Sequence, residues 1–421
     1  MSCRLASLAF IVGLTASANA HAVELSISCS ALGQEYEICK QGVEAWSKKS
    51  GNTVKIVSTP NSATERLALY QQLLAAGAPD IDVFQIDVVW SGLLSQHFQD
   101  LSAKAQGVID QHFPSMIQTS KVQGKLVAMP WFADAGLLYY RKDLLQQHNR
   151  QVPQTWAELT ETARIVQDAE RQAGNRNFWG FVWQGRAYEG LTVNALEWIG
   201  SYNGGLIVDD KGAITIDNPK AAEALQMAAG WVGTITPEGV LNYTEEESRG
   251  VFQAGNAVFM RNWPYAWALA QGPDSAIKDK VGIAALPKGG ADGRNVGTLG
   301  GQLLAVSRYS KNVDVATDLV MYLTSSEEQK RRAIAGSFNP TIPALFKDPE
   351  ITRTTPFMED LLAAFSNAIP RPAAVTGNNY NKVSTEFFNT VHQILSKRAE
   401  PEQALSRLDR DLKRIRRSGW E

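Results

Sequence analysis

The sequence predicts a secreted α/β protein of two domains, on three observations. Strand-like and helix-like segments alternate with short turns between Val23 and Ile86, which predicts parallel βαβ units with right-handed crossovers. The first 22 residues read as a leader peptide. Arg4 supplies a positive start, Leu5 to Ala16 is a short apolar run, and Ala18-Asn19-Ala20 and Ala20-His21-Ala22 are overlapping small-x-small cleavage sites. That run is far below the ~20 residues a bilayer needs, so it predicts a removable signal rather than an anchor; an N-terminal core strand is the other reading. Removing 22 of 421 residues leaves 399, a length expected to divide into two domains.

The elements follow in order. Val23 to Leu32 is rich in β formers. Tyr36 to Lys49 has helical spacing, with Ile38, Val43 and Trp46 on one side and Gly51 as the stop. Thr53 to Thr59 alternates as a strand, Asn61 or Ser62 caps a helix that ends at Gly77, and Ile81 to Ile86 is a third strand. In such sheets ligands sit beyond the carboxyl ends of the strands, which gives priority to Glu35, Ser62, Arg66 and Asp87. A second series begins with strands at Leu126–Met129 and Gly136–Arg141, with Pro130-Trp131-Phe132 between them. Thr155-Trp156 opens a helix, Asn177–Trp183 is a strand, and Tyr188–Tyr202 is a helix. Ala213–Ile216 reads as a short strand, and Pro219–Val232 is a helix capped by Asp217 or Asn218. Further strands are expected at Ala257–Met260, Val281–Leu286 and Gln302–Ser307, then helices at Val313–Thr324, Ser326–Ile334, Asn381–Ser396 and Pro401–Arg416.

Composition narrows the function. Hydrophobic residues make up 44% and charged residues 20%, the profile of a soluble globular chain. The formal charge is −2, and loss of the single leader arginine makes it −3, so a nucleic-acid partner is not expected. Beyond the leader no apolar run approaches spanning length, so the mature chain is not expected to span a membrane. Outside the cytoplasm there is no pool of ATP or nicotinamide, so function must lie in what the chain binds or hydrolyses there. Cys3 leaves with the leader, and Cys29 and Cys39 remain as an even pair in an oxidising compartment. A disulfide would staple the first strand to the first helix and contribute roughly 2–3 kcal/mol at most; two buried thiols are the alternative. Eleven Trp against 9% aromatics overall is a Trp excess that fits carbohydrate binding or a large core.

Several chemistries lack their motif. No G-x-x-x-x-G-K-[ST], no G-x-G-x-x-G after a strand, no H-E-x-x-H and no G-x-S-x-G occurs, and the five His show no metal-ligand spacing. No cofactor and no metal are expected. Tyr139-Tyr140 matches the paired tyrosines of secreted iron binders, but adjacent strand residues point to opposite faces and at least one should be core. The basic C-terminal run of Arg414, Arg416 and Arg417 reads as a solvated helix face.

Four segments together carry a resemblance. They are the strand–Gly33-Gln34-Glu35–helix junction; Ala78-Pro79-Asp80-Ile81-Asp82-Val83-Phe84 with Asp87; Met129-Pro130-Trp131 through Tyr140-Arg141-Lys142-Asp143-Leu144 to Pro153-Gln154-Thr155-Trp156; and Met260-Arg261-Asn262-Trp263-Pro264-Tyr265. Gly300-Gly301 before a strand and Arg371 in a Pro-rich turn fit the same pattern. Over nearly all of the mature chain the sequence resembles the trehalose/maltose-binding branch of the solute-binding proteins that serve ATP-driven sugar importers. The resemblance implies a periplasmic-binding-protein-like fold, in which two α/β lobes are joined by a multi-strand hinge with the ligand cleft between them. It implies an N-terminal lobe of residues 23–132 plus 287–340 and a C-terminal lobe of 133–286 plus 341–421, closing by a hinge motion. Crossings are expected near Trp131–Asp134, Ala284–Pro287 and Asn339–Leu345. It further implies a periplasmic monomer that hands its sugar to a membrane permease with a cytoplasmic ATPase and is not an enzyme.

The residues suit a disaccharide, which has apolar CH faces and a belt of hydroxyls that both donate and accept. Trp263 and Tyr265 offer one flat wall, and Trp131 or Phe132 another. Burial of ~40–60 Å² of CH face contributes about 1–1.5 kcal/mol. Glu35, Asp87, Asp134 and Glu189 accept hydroxyl protons, and Arg66 and Arg371 donate in a fork, each charge-assisted bond netting roughly 1.5–3 kcal/mol. Ser62, Gly300 and Gly301 complete the expected set. Three of the carboxylates also have a plain reading: Glu35 as an acid favoured at a helix start, and Asp87 and Glu189 as helix caps. Trp46, Trp156, Trp198 and Trp231 are expected to pack in the core. The rival functions are a secreted glycoside hydrolase built on the same carboxylates and a binder of some other small solute.

Overall fold

The computed structural model describes residues 22–30, 33–359, 361–362, 368–417 and 419–420. The expected leader, apart from Ala22, lies outside them. The opening strand β1 (Glu24–Ser30) buries Leu25, Ile27 and Cys29, and helix α1 (Gly33–Ser50) turns Ile38, Cys39, Val43 and Trp46 onto them. A disulfide joins Cys29 to Cys39 across this contact. Strand β2 (Thr53–Thr59), helix α2 (Ala63–Ala75) and strand β3 (Val83–Asp87) continue the series, and β1 lies parallel to both β2 and β3. The predicted parallel βαβ units are present.

The chain then forms the small pair β4 (Lys121–Val122) and β5 (Lys125–Leu126) and enters β6 (Met129–Ala135). The expected break at Pro130-Trp131-Phe132 is instead continuous strand. Pro130 is tolerated because β6 is the edge of its sheet, where one side of the backbone needs no ladder donor. Gly136 follows, and β7 (Leu137–Arg141) belongs to a different sheet. A Cβ on Gly136 would run into the Glu197 carboxylate, so this crossing requires glycine.

The second lobe is built from helix α3 (Trp156–Gln172), β8 (Trp179–Val182), helices α4 (Glu189–Ser201), α5 (Pro219–Trp231) and α6 (Glu245–Gln253), then β9 (Ala257–Asn262) and β10 (Val281–Ala285). The side chains of Thr155 and Asn218 cap α3 and α5, accepting from Glu158 N at 3.2 Å and Ala221 N at 3.0 Å. Ala213–Ile216 does not form a strand; Ile214 makes only an isolated bridge to Val208. Strand β11 (Leu299–Val306) returns to the first sheet, followed by helices α7 (Val313–Leu323) and α8 (Ser326–Gly336). Asn339 O accepts from Ala133 N at 3.1 Å, a third strand-like link beside the crossing. Helices α9 (Tyr380–Leu395) and α10 (Pro401–Ile415) pack with α4 and α5 of the second lobe.

Beside the β4–β5 pair, the described strands form two larger sheets, one in each lobe, in strand order β2-β1-β3-β11-β6 and β10-β7-β9-β8. Trp46 sits in the core of the first lobe. Trp156, Trp198 and Trp231 cluster in the second, with ring centroids 5.4 and 5.9 Å from Trp231. All four are packing residues, as their helical positions predict. Tyr139 is fully buried, and its hydroxyl donates to Trp263 O at 2.7 Å. It is spent on the fold.

Candidate functional site

The register of the first sheet assembles half of a cleft. β11 runs antiparallel to its neighbours, pairing Gln302 with Asp87 on β3 and Gly300 with Asp134 on β6. Gly301, at φ +122°, lies between them where a Cβ would collide with Phe132 O. Glu35 in the first turn of α1 and Arg66 in the first turn of α2 face the same space, beyond the carboxyl ends of the parallel strands. Tyr188, Glu189, Glu245, Glu246, Trp263 and Tyr265 close it from the second lobe. Arg371 comes from the segment just after Ile369, which bridges Thr298. The cleft and the solvent at its open mouth together make up about 840 Å³ of space.

Arg371 ties the two sides together. Its Nη2 donates to Asp87 Oδ1 at 2.7 Å and its Nη1 to Glu189 Oε1 at 2.8 Å. Glu189 also accepts from the Tyr380 hydroxyl and from Ser384 Oγ at 2.6 Å. Burial works against the Arg371 charge, but Asp87, Tyr380 and Glu189 around it more than reverse that and hold its proton more firmly than usual. Burial, then the Glu189 carboxylate, pushes the Tyr380 phenol well above its ordinary range. Asp134 is also raised well above the usual carboxylate value, first by burial and then by Glu35, with Arg261 opposing and Asp87 adding to the rise. Glu35 accepts from Gln85 Nε2.

The aromatic wall is held by acids. Tyr265 donates to Glu246 Oε1 at 2.6 Å, and Glu246 is paired to Arg249 at 2.6 Å. Burial, then Glu246, raises the Tyr265 phenol well above its ordinary value. Trp263 Nε1 points at Glu245 Oε1 at 3.4 Å, and Arg261 stacks on the indole with its guanidinium carbon 4.0 Å from the ring centre. Trp263 also reaches across to the first lobe, where a Cβ on Gly300 would sit 3.0 Å from its ring.

Some polar atoms in the cleft remain unused. Nε and Nη1 of Arg66 are buried without a hydrogen-bond partner, and so is Gln302 Oε1. The cleft therefore offers spare donors and a spare acceptor beside carboxylates and flat rings. That combination suits a ligand whose groups both donate and accept, as hydroxyls do.

All the expected site residues line this cleft except Ser62 and Trp131. Ser62 is the N-cap of α2, its hydroxyl turned back to accept from Glu65 N at 3.5 Å. Its neighbours Asn61 and Ala63 line the cleft instead. Trp131 is 1% exposed and packs in the first-lobe core with the Arg332 guanidinium 5.3 Å over its ring. Strand alternation on β6 sends Phe132 and Asp134 to the cleft and Trp131 away from it. Glu245, Glu246, Tyr188 and Phe338 line the cleft and were not anticipated. The first two lie inside a readable helix start, since Thr244 and Glu247 form a capping box on either side of them at the beginning of α6.

Among the described residues no helix is long and apolar enough to cross a membrane. Residues 31–330 match the family described as bacterial extracellular solute-binding protein. A probable ABC transporter-binding protein of Deinococcus radiodurans is 51% identical over 417 residues, 99% of each chain. A galactooligosaccharide-binding protein of Bacillus subtilis is 24% identical over 382 residues, 87% of this chain and 83% of its own. Maltose-bound MalE3 of T. maritima superimposes with a TM-score of 0.89 at 40% identity, covering 94% of this chain and 100% of that one. With a family match over most of its length and a relative at 51% identity, the chain belongs to the bacterial extracellular solute-binding proteins.

Proposed function

We propose that the protein captures an α-linked disaccharide, maltose or trehalose first, between its two lobes and delivers it unaltered to an ABC importer. The supporting observation is the make-up of the cleft. Rings of Trp263, Tyr265 and Phe132 stand beside four acids from both lobes, Glu35, Asp87, Asp134 and Glu189, and beside the unpartnered guanidinium nitrogens of Arg66. Likeness to a maltose-bound protein at 40% identity supports the same ligand class. In this reading Gly300 and Gly301 keep the first-lobe floor low enough for a sugar ring, and Arg371 aligns Asp87 and Glu189. The protein acts in the periplasm as a monomer, with lobes divided as expected except at two boundaries, one after Ala135 of β6 and one before Leu299 of β11, since Lys288 to Val296 pack with the second lobe. Its partners are a permease and that permease's cytoplasmic ATPase.

Calorimetry against maltose, trehalose, sucrose and mannitol, with chromatography of the mixtures afterwards, tests this. One-to-one saturable heat with an α-glucosidic disaccharide and no free glucose is expected. Heat from none of the disaccharides, or glucose that accumulates with time, would overturn it.

A further inference from the structure

Arg261 and Glu197 are the most deeply buried ion pair among the described residues, at 1% and 0% exposure, and neither lines the cleft. Their contact is a two-pronged fork, Nε to Oε2 at 2.8 Å and Nη2 to Oε1 at 2.5 Å. The third guanidinium nitrogen donates to Gln184 Oε1 at 3.1 Å, and Glu197 Oε1 also accepts from Thr298 N at 3.2 Å. The pair thus joins α4, β9, the segment before β11, and the Gly136 crossing, where only a missing Cβ leaves it room. Burial alone raises the Glu197 carboxyl, and Arg261 works against that rise.

Such a pair is poor at adding stability, because desolvating two charges offsets most of their attraction. What it does here is present a rigid plane. Arginine held at both prongs cannot rotate, and its flat face lies 4.0 Å from the centre of the Trp263 indole. The indole edge is limited on the other lobe by Gly300. We propose that Arg261, clamped by Glu197, is a positioning residue that fixes the plane of Trp263, so that the opposite indole face meets the ligand in one orientation. This rests on the saccharide-binding reading, since it treats Trp263 as the stacking surface. It makes affinity at the cleft depend on two side chains that never touch the ligand.

The test uses two variants, R261K and the charge-neutral double variant E197Q/R261M, each also built on W263A. Maltose is titrated by calorimetry. The plane itself is read without ligand, by fluorine NMR of 5-fluorotryptophan-labelled protein, with the Trp263 resonance assigned by its loss in W263F. Both variants are expected to weaken maltose at least tenfold when Trp263 is present and less than twofold on W263A. Both should also shift or broaden the Trp263 resonance. Equal weakening in the two backgrounds, or an unmoved resonance, overturns the proposal. If the double variant does not fold, R261K carries the same readouts with the charge and its partner kept. Wild type that ignores every disaccharide defeats the saccharide reading, while the resonance still decides the role of Arg261.

Discussion

Arg371 Nη2 donates to Asp87 Oδ1 across 2.7 Å, from the segment bridged to Thr298 to the last residue of β3. Because Nη1 holds Glu189 of the second lobe, one cation serves a carboxylate from each side. Replacing Arg371 by Met leaves two buried acids facing one another. Loss of one partner of a buried pair costs about 3–5 kcal/mol. R371M should therefore melt well below wild type at pH 7 and bind maltose at least tenfold more weakly, with R371K between them. Thermal denaturation and calorimetry check both, and a variant with an unchanged melting temperature would contradict the bridging role.

How far the sequence reaches is visible in individual residues. Glu35 and Asp87 were accessible because ligands sit past strand ends, and the βαβ pattern locates those ends without coordinates. Trp263 and Tyr265, which line the cleft, are reached from the sequence through the resemblance that the Met260-to-Tyr265 segment carries. Trp131 was assigned to the wrong face because a strand has two faces one residue apart, and only pairing shows which is buried. On β6 that pairing shifts register opposite Gln302/Leu303 and cannot be read from composition. Glu197 and Arg261 are 64 residues apart and meet only when helix α4 is brought to strand β9, so no local signal joins them.

Asp134 gives a pH dependence with a definite sign. Burial, then Glu35, holds its carboxyl above the ordinary value of 3.8 in the folded chain. The folded state therefore keeps this proton better than the unfolded state does. The stability it adds is complete below pH 3.8 and is lost as pH rises through the folded value. D134N should raise the melting temperature of ligand-free protein by about 2 °C at pH 7.5. That gain should vanish below pH 4, while maltose affinity falls through loss of an acceptor. A melting temperature lowered at pH 7.5 would show that the charged carboxylate is favoured there.

The Cys29–Cys39 bond closes a separation of ten residues between β1 and α1, next to the turn that carries Glu35. Loop-closure entropy for so short a loop is worth ~2–3 kcal/mol. C29S/C39S should lower the denaturation midpoint with a small rise in the urea m-value, since the freed unfolded chain exposes slightly more surface, and maltose affinity should fall a few-fold as the Glu35 turn loosens. Affinity that drops a hundredfold would mean that the bond organises the site rather than the core.

At the mouth of the cleft, Arg186 of the second lobe meets Glu65 of α2 at 2.5 Å, and Glu189 N donates to Thr64 Oγ1 at 3.1 Å beside it. Both charged side chains are about half exposed, at 44% and 51%, so the pair is screened by salt and worth under about 1 kcal/mol. Opening the lobes must break it, whereas a ligand entering an open cleft meets it unmade. E65Q should therefore speed sugar release about two- to fivefold and leave the association rate unchanged. Raising the salt should speed release from wild type and not from E65Q. Stopped-flow tryptophan fluorescence at 50 and 500 mM salt separates the two rates. A release rate that responds to salt equally in both proteins would place the closing force elsewhere, most plainly in the buried Arg371 bridge, which solvent ions do not reach.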